Sequence, residues 1–381
     1  MTRPLVVLGA TGSIGTQTLE VAGNLGLEVV ALAARRPSAG LAESGRRHRD
    51  AAVVVVGGSS EERTRFEEQL GRPATFGSEA ILEVAGESGR IVVNGIVGSV
   101  GLRATVAALE AGNRVALANK ESLVAGGPVV MASLRAHGGE LIPVDSEHSA
   151  LYQCLVGELS ASVSRLVLTA SGGPFRGWSH ESLAAVTPEE ALRHPIWDMG
   201  RRITVDSATM FNKGLEIVEA HHLFDVAYDQ IEVVVHPQSI LHSAVEFVDG
   251  SWKGHFGFPD MRIPIQYALT APDRGPAPGD RFSLAGLDLG FESPDRQAFP
   301  AIDIAYEAGR AGGSAPTVMN AADEVAVEAF LQRRLGFLGI ADVVARTIDE
   351  VDWRELSTVD EVLEVDAEAR SVAAGLIAGV C

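Results

Sequence analysis

Cysteine is scarce. Cys154 and Cys381 are the only two in 381 residues and show no metal-type spacing, which excludes a disulfide framework and suits a reducing compartment. Long hydrophobic runs are missing as well. No uninterrupted apolar stretch reaches bilayer length, and the first apolar strand starts at Leu5 with no charged leader before it, so a cytoplasmic protein without membrane contact is expected. Basic patches are also lacking. Arg35-Arg36, Arg46-Arg47 and Arg201-Arg202 are isolated pairs in a chain of net charge −19, and so acidic a surface repels a nucleic-acid backbone. A few placed cations and backbone N–H groups can still hold a small phosphorylated ligand. What the sequence does have is apolar material, 46% of its residues, over a length that suits two or three domains.

Short runs rich in Val and Ile, at 5–8, 27–33, 52–56, 91–93, 115–118 and 141–144, alternate with helical stretches. Strands buried on both faces and separated by helices predict a doubly wound, Rossmann-like α/β domain over residues 1–142. From 143 to 270 the strands, at 166–169, 231–235, 244–248 and 253–258, are separated by long loops. The last two follow each other without a crossover, which predicts antiparallel pairing in an α+β domain. A Pro-, Gly- and Asp-rich stretch at 271–297 reads as a linker. Amphipathic periodicity at 303–310, 317–334, 340–351 and 359–378 predicts a small all-α bundle over 298–381.

Gly9-Ala10-Thr11-Gly12-Ser13-Ile14-Gly15 joins the first strand to the first helix. Glycines there let a pyrophosphate approach the backbone at a helix N-terminus, so a dinucleotide is a better reading than a merely tight turn. The second strand ends in Ala33-Ala34-Arg35-Arg36, with no acid for a ribose 2′-hydroxyl and two guanidinium groups where a 2′-phosphate would sit. NADP(H) is therefore expected over NAD(H).

Asp145-Ser146-Glu147 follows a strand; if extended, it presents both carboxylates on one side, suited to Mg²⁺ or Mn²⁺, although an acidic turn has the same composition. In the stretch 206–216, read as a loop entering a helix, Asn212, Lys213 and Glu216 share one flank, beside Ser207. They suggest a phosphate pocket with a third metal carboxylate, against the alternative of a surface Lys–Glu pair; Glu219 reads as solvated. Thr169-Ala170-Ser171-Gly172-Gly173 could cradle a phosphate, Lys120 closes a strand at the ligand edge of the sheet, and the loop 194–200, with Trp197, suits a lid. His148, His236 and His242 match no zinc spacing.

Together these motifs, with LANKESLV at 117–124, PVDSEHSA at 143–150, TASGGPF at 169–175 and HPQSILH at 236–242, resemble the 1-deoxy-D-xylulose-5-phosphate reductoisomerase family, in the family's order and over nearly the whole chain. The resemblance implies an NADPH-dependent enzyme. It would rearrange 1-deoxy-D-xylulose 5-phosphate with a divalent metal and reduce the product to 2-C-methyl-D-erythritol 4-phosphate, toward isoprenoid precursors. Asp145, Glu147 and Glu216 match the metal ligands. Ser171, Ser207, Asn212 and Lys213 match the phosphate-holding residues. Ser146, Lys120, His194 and Glu216 match positions at the substrate, Lys120, Glu147, Glu216 and His194 being the catalytic candidates. Trp197 and Met199 match the lid. Thr11, Gly12, Ser13, Ile14, Arg35 and Arg36 match cofactor contacts, with Asn119, Glu121 and Gly200 nearby. A homodimer is implied too. Departures are Arg35-Arg36-Pro37, a variable lid position at Asp198, and Asn320-Ala321-Ala322-Asp323-Glu324 in place of the more usual NAANE. The rival readings are a dehydrogenase of the homoserine or semialdehyde class, a non-catalytic NADPH and sugar-phosphate sensor, and a metal-dependent isomerase without hydride transfer.

Overall fold

The computed structural model describes residues 3–98, 101–197, 199–281 and 283–380, so the variable position at Asp198 and the second cysteine, Cys381, lie outside the described residues. In chain order the elements are β1 (Leu5–Leu8), α1 (Ser13–Leu25), β2 (Val29–Ala34), α2 (Ala39–Arg47), β3 (Ala52–Val55), α3 (Ser60–Leu70), β4 (Thr75–Phe76), α4 (Glu79–Ala85), β5 (Ile91–Asn94), α5 (Gly101–Glu110), β6 (Arg114–Leu117), α6 (Glu121–His137) and β7 (Glu140–Pro143). There follow α7 (Ser146–Leu155), β8 (Val163–Ala170), the short α8 (His180–Leu183) and α9 (Pro188–Ala191), α10 (Arg201–Thr209), α11 (Phe211–Phe224), β9 (Ile231–Val235), β10 (Leu241–Phe247), β11 (Trp252–Phe256) and α12 (Arg262–Thr270). Four helices close the chain: α13 (Ala301–Ala311), α14 (Ala315–Leu331), α15 (Gly339–Glu350) and α16 (Val359–Val380). None of the described helices is long and apolar enough to cross a membrane.

Of the described residues, one compact unit gathers those in 1–122, 130–149 and 260–281. Its sheet is parallel throughout, in the order β4-β3-β2-β1-β5-β6-β7. The order reverses at β1 and β5, and the glycine loop leaves β1 at that switch point, where open α/β sheets take ligands. Strands β1 and β5 are buried along their whole length, as the apolar runs predicted. The segment 260–281 packs with this unit, although the sequence pattern divided it between the middle domain and the linker. Helix α12 lies against α1, burying Ile265, Ala268 and Leu269, and Arg262 bridges Asp260 to Glu20. Sequence periodicity reports that such a helix is amphipathic but not which surface it covers.

The second unit gathers 123–129, 150–259 and the described residues after 282. Its sheet runs β11-β10-β8-β9, with β10 antiparallel to both β8 and β11 and β9 parallel to β8. One face, with Leu166 and Leu168, shares a continuous core with α11 and the closing helices through Phe211, Ile217, Ala305 and Phe330. The helical C-terminal region thus belongs to the same packed body as the α+β region. Gly214 makes this possible for α11: a Cβ there would lie 2.9 Å from the Ala305 side chain. Edge strand β11 is open, with Trp252 50% and Phe256 40% exposed.

His222, near the end of α11, fills the space above Gly127, where a Cβ would overlap the imidazole. Burial, with a smaller contribution from neighbouring His221, lowers its pKa to about 4. Below about 6.5 the unfolded chain binds a proton that the folded chain refuses, so this stability is complete above 6.5 and is lost as pH falls toward 4. Urea unfolding is expected to show a loss on the order of 2–3 kcal/mol across that window, and His222→Gln should flatten it. Parallel pH profiles for the two proteins would exclude this origin.

Candidate active site

In the first unit the glycine loop is shaped by close approach. Gly9 has φ +85° and a Cβ there would lie 2.5 Å from the Gly95 carbonyl oxygen, while a Cβ on Gly15 would strike the Gly9 carbonyl. Gly12 precedes α1 in extended conformation, caps it without a side chain, and no acid stands in the first turn. The α1 N-terminus therefore offers N–H donors and a positive dipole end to an anion. A cavity of about 590 Å³ opens beside it, lined by Thr11, Thr16, Arg35, Arg36, Ser38 and Ser44. Both arginines are exposed at its wall, at the end of β2. Ser13 and Ile14 form the first helical residues of α1.

Asn119 and Glu121 knit the loops at the same edge of the sheet. The Asn119 amide donates to the carbonyls of Ile96 (2.5 Å) and Gly98 (3.0 Å) and to Glu121 (2.9 Å), and Glu121 accepts from the Gly98 N–H at 3.3 Å. Lys120 between them is buried, and its ammonium lies 2.5 Å from Asp145. Burial by itself would raise the Asp145 carboxyl; Lys120 and His148 overcome that and hold it well below the usual carboxylate range. Asp145-Ser146-Glu147 is not extended, as the sequence reading assumed. The Ser149 N–H donates to the Asp145 carbonyl at 2.8 Å, so the aspartate stands at a helix start, and Ser146 and Glu147 are the first two residues of α7. Ser146 donates to Glu147 at 2.5 Å. A helix also puts His148 beside Asp145, with 3.8 Å between Nδ1 and a carboxylate oxygen. Sequence reasoning missed that role, and the i, i+3 spacing reveals it only once a helix is assumed.

In the second unit the turn after β8 and the loop before α10 meet. His194 Nδ1 accepts from the N–H groups of Ile196 (3.2 Å) and Trp197 (2.9 Å). A ring nitrogen that accepts carries no hydrogen, so the proton sits on Nε2 of the neutral imidazole. Burial, which lowers the His194 pKa, favours that neutral form. Nε2–H then donates to Ser171 Oγ at 3.1 Å, and the Gly173 N–H donates to the same oxygen at 3.2 Å. With both lone pairs engaged, Ser171 has its O–H to donate to an incoming oxygen. Gly173, at φ +66°, lies so close to α10 that a Cβ would be 2.7 Å from the Ser207 carbonyl. The turn that carries Ser171 thus packs against the backbone of α10 at Ser207. Trp197 and Met199 are half-buried in the segment before α10, which Gly200 caps.

The start of the stretch 206–216, read as a loop entering a helix, instead ends α10, and Met210 at φ 68° breaks α10 from α11. On α11 the expected flank is present: Asn212 donates to Glu216 at 2.6 Å, and the Lys213 ammonium meets the other oxygen at 2.5 Å. It is not a surface pair, since Lys213 is 3% and Glu216 0% exposed. Glu219, read as solvated, is fully buried as well. Carboxylates at such burial need cations around them.

Comparison with known proteins matches models of one family along most of the chain. Its models match residues 5–127 (1-deoxy-D-xylulose 5-phosphate reductoisomerase), 141–224 (its C-terminal domain) and 256–372 (DXP reductoisomerase C-terminal domain). The reductoisomerase of Caulobacter vibrioides is 48% identical, with 99% of this chain and 97% of that protein covered, and that of Rhodospirillum centenum 49% identical, with 99% and 94% covered. The solved enzyme from Zymomonas mobilis in complex with NADPH superposes with a TM-score of 0.92 at 42% identity, covering 99% of both chains. A solved DOX-P reductoisomerase in complex with NADPH, fosmidomycin and magnesium gives 0.91 at 35% identity, covering 98% of both. The chain belongs to the 1-deoxy-D-xylulose 5-phosphate reductoisomerase family.

Proposed function

We propose that the chain converts 1-deoxy-D-xylulose 5-phosphate to 2-C-methyl-D-erythritol 4-phosphate, a step toward isoprenoid precursors, by rearranging the carbon skeleton and reducing the product with NADPH. The observation that supports this most is that the second unit holds both the donor turn at Ser171 and the buried Lys213–Glu216 pair. A dehydrogenase reading leaves the buried carboxylates and the Ser171 turn without a task, and an isomerase reading leaves the cavity at Arg35 and Arg36 without one. Ser171, Ser207, Asn212 and Lys213 hold the phosphate, and His194 orients Ser171. Asp145, Glu147 and Glu216 would hold the cation. The donor set is carboxylate oxygen, as a hard ion requires, and Asp145 is kept ionised while Glu216 is a buried carboxylate held by Asn212 and Lys213. A bound Mg²⁺ or Mn²⁺ supplies Lewis-acid polarisation of the ketone and adjacent hydroxyl oxygens, and NADPH supplies the hydride. Lys120 and Ser146 contact the substrate, and Trp197 and Met199 belong to a lid that excludes water. The first unit binds NADPH through 11–14, Arg35 and Arg36, with Asn119, Glu121 and Gly200 near it. We place the enzyme in the cytoplasm, and a second copy of the chain along the open edge of β11, where exposed Trp252 and Phe256 would otherwise leave an unprotected strand. Sedimentation at monomer mass would refute that dimer.

NADPH oxidation by the purified protein with substrate and Mg²⁺ or Mn²⁺, against EDTA and NADH controls, tests the activity. No oxidation from folded protein that still binds NADPH would sink it. Replacing Arg35 and Arg36 together by Ala should raise KM for NADPH by about 10- to 100-fold and leave that for NADH unchanged, because only the 2′-phosphate loses its partners. An equal effect on both cofactors would remove the arginines from that role.

A further inference from the structure

Beneath α10 lies a charged cluster that none of the roles above uses. Arg202 forks from α10 onto α14: its guanidinium donates to Glu324 at 2.9 Å, to Asn320 at 3.3 Å and to Asp323 at 3.4 Å, and lies 3.5 Å from Asp206 on its own helix. Behind it Arg370 of α16 ties Glu324 (2.8 Å) to Asp366 (2.6 Å). Asp206 and Asp323 are almost wholly buried, and the Arg202 guanidinium lies against both carboxylates, at 3.5 and 3.4 Å. Burial, with Glu324 adding to it and Arg202 opposing, pushes Asp323 up to about 6.

Helix α10 needs such an anchor. It has nine residues, three of them β-branched in succession (Ile203, Thr204, Val205), a glycine cap without a side chain at one end and a left-handed break at the other. It follows directly on the segment containing His194 and bears Ser207, whose carbonyl abuts Gly173. One side of α10 is therefore set by the Ser171–Gly173 turn and the other by the Arg202 fork. We propose that Asp323, acting through Arg202 and Asp206, is a positioning residue for the reaction: it fixes the seat of α10 and so the place of Ser207 against the turn that carries Ser171. A displacement of well under 1 Å there loosens the grip on the substrate's phosphate.

The inference rests on Ser207 as a phosphate contact, and the test separates the two. KM and kcat for 1-deoxy-D-xylulose 5-phosphate, with the thermal midpoint, would be measured for Asp323→Leu, Asp323→Asn and Ser207→Ala. Asp323→Leu is expected to raise KM by about tenfold well below its melting midpoint, with kcat changed less than about threefold, since the contact is made equally in ground and transition states. Asp323→Asn, whose amide can donate to Asp206 and whose oxygen can accept from Arg202, should restore KM to within about twofold. If Asp323→Leu does not fold, Arg202→Met carries the same expectation. A raised KM for Ser207→Ala with a normal KM for Asp323→Leu and Arg202→Met, whatever their melting midpoints, overturns the positioning role and spares the phosphate reading. A raised KM in Asp323→Leu that Asn does not restore overturns the hydrogen-bond account. A normal KM for Ser207→Ala overturns both readings.

Discussion

Replacing Lys213 by Ala is expected to lower kcat/KM for the sugar phosphate by about 10³-fold, because a buried charge pair loses a partner rather than a surface one. Lys213 is 3% exposed, and its ammonium contacts the fully buried Glu216. On a solvated flank the same i, i+3 pair would contribute only a few tenths of a kcal/mol, and the variant would be nearly silent. Here its loss leaves a carboxylate in the core beside Asn212, so unfolding should also become easier, by about 3–5 kcal/mol. Added Mg²⁺ should restore part of that stability if Glu216 is a cation ligand, since a divalent ion replaces the missing charge. Steady-state kinetics and thermal unfolding with and without Mg²⁺ read out both effects. Kinetics within a few-fold of the parent would remove Lys213 from the phosphate pocket.

The features legible in the sequence were those whose cause is local. Strands β1, β2, β3, β5, β6 and β7 are apolar on both faces, and that pattern forces a parallel sheet between helices. The glycine loop was legible because close backbone approach at Gly9 and Gly15 has no other solution. Edge strand β4 was not, since Thr75-Phe76 is too short to show a period. Helix α10 was hidden by its β-branched run, and tertiary anchoring through Arg202 outweighs that local preference. Glu219 was misread because α11 looks amphipathic in sequence, whereas the fold encloses nearly all of its middle turns, from Lys213 to Ala220. The helical start at Asp145 was lost in the same way: three polar residues after a strand look like a turn until the bond from Ser149 closes the first helical turn.

That helical start matters for the second large effect. Asp145→Asn preserves size and one acceptor oxygen but removes the charge that Lys120 and His148 hold in place. If Asp145 is a cation ligand, the substitution should weaken divalent binding about 100-fold or more and lower kcat by about 10³ at ordinary Mg²⁺. It should also leave the buried Lys120 ammonium short of a counter-charge, so that raising Mg²⁺ recovers activity only in part. NADPH affinity, by contrast, should stay within a few-fold, because the cavity at Thr11, Arg35 and Arg36 is built from other residues of the same unit. Fluorescence titration of NADPH and activity against Mg²⁺ concentration separate these outcomes. Parallel loss of NADPH binding would mean that the substitution disturbs the sheet edge as a whole. An unchanged Mg²⁺ dependence would mean that Asp145 serves Lys120 and not the metal.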